Sequence, residues 1–200
     1  LANYNPNNFN TTFVYNLDEE GYKVANVGVD DLHLSLPYTL AFLPNIRSVS
    51  IKHENIVYEL SKIENLTENI KVATIHKKTS SETTELKIVT LEKDNTTIAV
   101  EIEQNNDKTF LKELSNELPK IFCDFPLIGT SDFTLPFAIN NPNFNPTEPR
   151  DGVWLTDHNS EPKILENKEI FLNSVELYFE LLGFAIKNNW ENLFLLANTE

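Results

Sequence analysis

The chain has 200 residues with 10 prolines, 5 glycines and 40% apolar side chains, which suits one globular domain, or one domain with a helical appendage, and excludes disordered and collagen-like classes. Its 30 acidic and 16 basic side chains leave a net charge of −14, a field that repels phosphate backbones and anionic membranes. Neither nucleic acid nor a membrane is therefore expected as a partner.

Residues 11–17, TTFVYNL, are β-branched and aromatic with partial alternation, which predicts a strand followed by a turn at DEEG. From Asp30 to about Leu43, the leucines at 32, 36, 40 and 43 recur at spacings of four and three. They predict a helix capped by Asp30 or Asp31 and interrupted at Pro37. Residues 46–60 alternate twice and predict two paired strands. The runs 70–78, 83–93 and 96–104 add three more, the tightest turn being Asp94-Asn95.

Together these segments predict an antiparallel meander with Val72, Leu86, Ile88, Ile98, Val100 and Ile102 on one apolar face and the other face wet. A short helix is predicted over 110–119, with further strands in KIFCDFPLIG and LPFAIN. In the last third, Phe171, Val175, Tyr178, Leu182 and Ala185 recur at helical spacing, with Asn167 as the expected N-cap and a second helical piece from Trp190 onward.

The chemistry-bearing residues are sparse. His33, His53, His76 and His158 show no metal-ligating or triad pattern, and the neighbours His53 and Glu54 are expected to point apart on a strand. Cys123, the one cysteine, lies in an apolar run and reads as a small buried hydrophobe, leaving no disulfide framework or zinc site. None of the glycine-rich phosphate-binding or nucleophile-elbow motifs occurs. No apolar run reaches the roughly 20 residues of a membrane helix, the first residues do not form a secretion signal, and a cytoplasmic location is expected. A chain without methionine, ending in apolar helical sequence, is expected to be an excerpt of a longer one.

One stretch stands out. Residues 125–157 hold five prolines among Phe, Trp and Asn, the composition of a long ordered connection pinned to a scaffold. Within it, Thr147-Glu148-Pro149-Arg150-Asp151-Gly152 places one of only two arginines on a turn, its planar fork open to a carboxylate or a phosphate. The competing reading has Arg150 pairing with Glu148, Asp151 or a sheet carboxylate and merely locking the loop.

The run IFCDFPLIGTSDFTLPFAINNPNFNPTEPRDGVWL (121–155) resembles the segment that follows the nucleotide-binding domain in sacsin-type proteins, relatives of the GHKL ATPases such as gyrase, histidine kinases and heat-shock chaperones. TLAFLPNIRSVSI (39–51) is similar to the helix-to-strand passage of that family. NTTFVYNL (10–17) resembles the closing strand of its ATP-binding domain, where Thr11 and Phe13 match a Gly-Thr-x-Phe pattern and Asn10 stands in place of the glycine.

The resemblance implies a middle, transducer-like domain, with the ATP- and magnesium-binding motifs of the parent protein lying before residue 1. Its expected partners are that missing N-terminal ATP-binding domain and polypeptide clients. It further implies that Arg150 reaches the terminal phosphate, that Thr11 lies near the adenine, and that Phe144, Pro146, Thr147, Glu148, Asp151 and Trp154 form the supporting loop.

The resulting expectation is an α+β domain: an antiparallel sheet of about four to six strands with helices on one face, plus C-terminal helices. Residues 1–17 would be the tail of the ATP-binding domain, 18–166 the middle domain and 167–200 a helical segment. On its own the chain is expected to hold no cofactor and hydrolyse no ATP. The alternative is a β-rich binding module gripping polypeptide or carbohydrate with Phe133, Phe137, Phe144 and Trp154. A hydrolase working through two unmarked carboxylates is a third.

Overall fold

The computed structural model describes residues 14–156 and 161–197. It is α+β, as expected, with the meander extended into a nine-stranded sheet. Helix α1 (Glu19–Phe42) leads into a run of antiparallel strands: β1 (Ser48–Ile51), β2 (Ile56–Asn65), β3 (Ile70–Lys78), β4 (Thr83–Lys93) and β5 (Thr96–Asn105). The outer edge of β5 is then shared. Thr97–Ala99 pair with β9 (Ala138–Asn140), and Ile102–Asn105 pair with β6 (Lys108–Leu111). Beyond β9 lie β7 (Ile121–Cys123), which runs parallel to it, and β8 (Phe125–Pro126). Helix α2 (Pro162–Lys187) and a 3₁₀ turn at Leu193–Leu196 complete the chain.

The turns follow from left-handed residues. Asp94-Asn95 between β4 and β5, and Asn106-Asp107 between β5 and β6, have positive φ at both positions, as two-residue hairpins that match strand twist require. The second turn redirects the segment expected to be a helix at 110–119. Phe110 and Leu111 enter the sheet opposite Glu103 and Ile102, and Pro119 closes the segment, so residues 112–120 stay irregular.

Both faces of the sheet are covered, in contrast to the one wet face expected. Consecutive strand residues point to opposite sides. Accordingly Ile98, Val100 and Ile102 join Val72, Val89 and Leu91 in the core beneath α2, while Ala99, Ala73, Ala138 and Ile88 line the core beneath α1. Small residues on the α1 side make room for Leu36, Tyr38 and Leu40 against the strands. The apolar set read as one face is in fact divided between two.

Helix α1 starts twelve residues earlier than its leucine spacing indicates, because Asp18 accepts the Gly21 amide at 2.8 Å and Glu19 and Glu20 occupy the first turn. The expected strand over 11–17 is not formed in its described part: residues 14–17 are exposed and lie outside any strand, while residues 11–13 fall outside the described residues. Burial within α1 is confined to Ser35–Ala41, and Tyr22, Val24 and Val27 project into solvent. Pro37 is accommodated inside the helix.

Helix α2 begins with Pro162 in its first turn, so Asn167 is an interior residue and not the expected cap. Its end is a Schellman turn: Trp190 N–H bonds the Ala185 carbonyl and Asn189, at φ 52°, bonds that of Ile186. The chain then runs beside β6, where Glu191 N–H bonds Thr109 and Leu111 N–H bonds Glu191. Those bonds hold the backbone extended where a second helix was expected, leaving only the 3₁₀ turn. No helix among the described residues is long and apolar enough to cross a membrane.

A contrast between two positions tests how α1 is anchored. Leu40→Ala, at a fully buried site, should lower the unfolding free energy by about 2–5 kcal/mol. Val24→Ala, on the projecting half, should change it by less than about 0.5 kcal/mol; urea titrations of both variants compare the two.

Candidate functional site

The 144–155 part of the connection is tied to helix α2 by a buried carboxamide. Asn167, fully buried on α2, accepts the Asn145 amide at 2.8 Å and donates to the carbonyls of Asn145 at 3.0 Å and Trp154 at 2.9 Å. One side chain thus satisfies three backbone groups at the two ends of the turn between them, as a paired strand would. Phe144 is buried and packs on Phe171, and Trp154 donates its indole N–H to the Pro146 carbonyl at 3.1 Å. The Lys163 ammonium lies 4.0 Å from the Trp154 ring centroid.

Between these anchors Pro146 and Val153 form an antiparallel bridge, and Thr147 N–H bonds the Gly152 carbonyl at 2.9 Å. The tip is Glu148–Asp151. Its underside rests on the 3₁₀ turn at Ile128–Thr130, so closely that a Cβ on Gly129 would lie 2.2 Å from the Asp151 carbonyl oxygen. At that position only glycine fits.

Arg150 is exposed at the tip. Among the described residues its guanidinium reaches one acceptor, the Cys123 carbonyl, at 3.4 Å. The expected clamp of acidic neighbours is not made. Asp151 instead accepts the Thr147 hydroxyl at 2.5 Å, and Glu148 is exposed. Cys123 is half-buried behind the loop, its thiol 3.6 Å from the carbonyls of Pro142 and Phe144.

The backbone at Arg150 is unusual in a second way. Among the described residues nine non-glycine positions have positive φ; eight are Asn or Asp, types that tolerate the left-handed region, and the ninth is Arg150 at φ 74°. Elsewhere this chain meets the demand with a suitable side chain, and here it retains an unsuitable one.

Of the other sequence-derived site residues, Thr11 falls outside the described residues. The four aromatics expected to grip a ligand are largely spent on packing. Phe137 is buried against Tyr178, Phe144 is buried and the half-buried Phe133 stacks on Phe171 at 6.1 Å, which leaves Trp154 as the exposed one of the four, beneath Lys163.

The fold also assembles a group that the sequence did not signal. His33 Nε2 lies 2.6 Å from Glu54 Oε2, and His33 Nδ1 is 3.0 Å from the buried Tyr58 hydroxyl. That hydroxyl is also 3.4 Å from the His33 carbonyl, the group that Pro37 deprives of its helical donor. His53 approaches the other Glu54 oxygen at 3.1 Å, because residues 52–55 form a turn and not the strand assumed for them. The spacing of His33 and Pro37 was the one available signal, and it points to a partner without naming it. Among the described residues no group of His, Cys, Asp and Glu is arranged to hold a metal.

A cleft of about 270 Å³ lies between residues 111–116, 131–136 and Leu195–Leu196, with the buried Lys120 in its wall. The Lys120 ammonium donates to the carbonyls of Ser115 at 2.8 Å and Leu118 at 2.9 Å, fixing the irregular 112–120 segment. Burial pushes its pKa below the usual lysine range.

No protein-family model, curated protein or solved structure matches the chain.

Truncating the carboxamide strands three backbone groups, so Asn167→Ala should cost about 2–4 kcal/mol and raise hydrogen-exchange rates across 144–155 before global unfolding, as read by exchange mass spectrometry. Lys120 gives stability a pH signature. Between its lowered folded pKa and the ordinary 10.5, the unfolded chain holds more protons, so stability rises with pH. Buried Tyr38 and Tyr58, both raised from 10.0 chiefly by desolvation, reverse the trend above about pH 10, where the unfolded chain releases protons that the fold retains. Lys120→Met should abolish the rising limb and leave the falling one, in urea midpoints measured against pH.

Proposed function

We propose that this chain is a non-catalytic, transducer-like domain of a larger ATP-dependent, chaperone-like protein of the GHKL type, coupling nucleotide state to domain movement. Arg150 is the side chain it offers to a phosphate bound on a neighbouring domain. The observation that carries the reading is the strained arginine: an exposed guanidinium at φ 74°, on a loop pinned at both ends, where the other positive-φ non-glycine residues among those described are Asn or Asp. Strain kept where a better-suited residue was available is the pattern of a functional position.

The geometry suits the role. An anion arriving at the tip needs only to outcompete one 3.4 Å bond to a carbonyl, and the guanidinium has no carboxylate to leave among the described residues. A positioned guanidinium aimed at developing negative charge stabilises it by several kcal/mol in a closed site. The nucleotide and its magnesium would be held by the neighbouring domain, in the cytoplasm. In the binding-module reading, the ligand would have to be held chiefly by Trp154, since its three companions pack inward.

Two measurements at one position test the proposal. In the isolated chain, Arg150→Gly should be more stable than Arg150→Ala by about 1 kcal/mol, because only glycine relieves the backbone. In the full-length protein, both substitutions should lower ATP turnover by about 100-fold. Unchanged turnover would reduce Arg150 to a loop brace, and measurable turnover by the 200-residue chain alone would remove the division of labour.

A further inference from the structure

Helix α2 is apolar on two sides. Its inner side, Ile164, Ile170, Leu177, Leu181 and Ala185, is consumed by the sheet. The outer side carries Leu165, Leu172, Phe179 and Ile186, at 52, 68, 62 and 57% exposure, spaced seven residues apart, with Val175 at 43% three residues after Leu172. That is a heptad seam: positions a are Leu165, Leu172, Phe179 and Ile186, and positions d are Lys168, Val175 and the half-buried Leu182. It runs for three heptads, about 32 Å at 1.5 Å per residue.

A strict seven-residue repeat on a solvent face has no use in packing α2 onto its own sheet, which draws on the opposite residues. Its period matches another helix. The flanks then say which kind. One side of the seam is acidic: Glu169 and Glu176 occupy consecutive e positions, Glu166 and Glu180 stand one row further round, and all four are exposed. Among the described residues, Glu169, Glu176 and Glu180 have no cationic partner. The other side is formed by the half-buried Phe171 and Tyr178 at g. An antiparallel second copy would set Glu169 and Glu176 against their own counterparts, between chains that each carry a net charge of −14.

We infer that the outer face of α2 is a docking surface for a basic amphipathic helix, one that presents apolar residues at heptad spacing and lysine or arginine along one flank. The apolar seam gives it affinity, and the glutamate row sets its orientation and rejects acidic helices. This surface is independent of the reading given to Arg150.

A pair of 24-residue helical peptides tests it, both with leucine at a and d, one with lysine and the other with glutamate at e and g. By fluorescence anisotropy on the 200-residue chain, the lysine peptide should bind at least tenfold more tightly than the glutamate peptide. The double variant Leu172→Ser/Phe179→Ser should lose at least tenfold of that binding, and its melting temperature should stay unchanged because both side chains are exposed. Glu169→Lys/Glu176→Lys should reverse the preference between peptides.

Equal affinity for both peptides, binding of neither, or binding that survives the serine variant would overturn the inference. A homodimer in sedimentation that the serine variant dissolves would do so too, by making a second copy the occupant.

Discussion

The carboxamide of Asn167 joins the two halves of this molecule. Helix α2 is fixed by its burial on the sheet, and past β9 the proline-rich connection has only the single Pro146–Val153 bridge of its own. Three hydrogen bonds from one buried side chain transfer the rigidity of the first to the second. Because the Asn167 carboxamide is fully buried, losing it removes the partner of three backbone groups at once. The position of Arg150 follows from this anchorage together with the close seat of Asp151 on Gly129.

Strain at Arg150 has meaning only against that rigid background. In a mobile loop an arginine at positive φ would relax by rotating the backbone, whereas here the Thr147–Gly152 bond and the Pro146–Val153 bridge fix the turn. The guanidinium is consequently held outward, without a carboxylate partner among the described residues. Presenting a cation this way spends stability on orientation, which is the exchange expected where a side chain must meet an anion supplied from elsewhere.

The sheet distributes its surfaces in a comparable manner. With a helix packed on each face its centre is buried, and several of the exposed apolar side chains fall on the helices: Tyr22, Val24 and Val27 on α1, and the heptad seam on α2. Each helix is secured on one side by the sheet and left apolar on another. The exposed face of α2 and the 144–155 loop are braced by the core on one side of the sheet.

Local signals reached far into the fold. Alternation located β1 to β5 and their pairing, Asp94-Asn95 marked its turn, and the spacing of Phe171, Val175 and Tyr178 found α2, because these depend on neighbours within a few residues. The prolines and the scarce arginine likewise marked out the 144–155 loop. What the sequence could not decide was which side each element would bury. Ile88 and Val100 look equivalent along the chain, yet they lie beneath different helices, since facing depends on strands distant in sequence. For the same reason Phe110-Leu111 joined β5 instead of a helix, Asn167 became an internal anchor instead of a cap, and His33 met Glu54 and Tyr58. Each of these outcomes rests on a partner more than twenty residues away or on a sheet edge that exists only once the chain has folded.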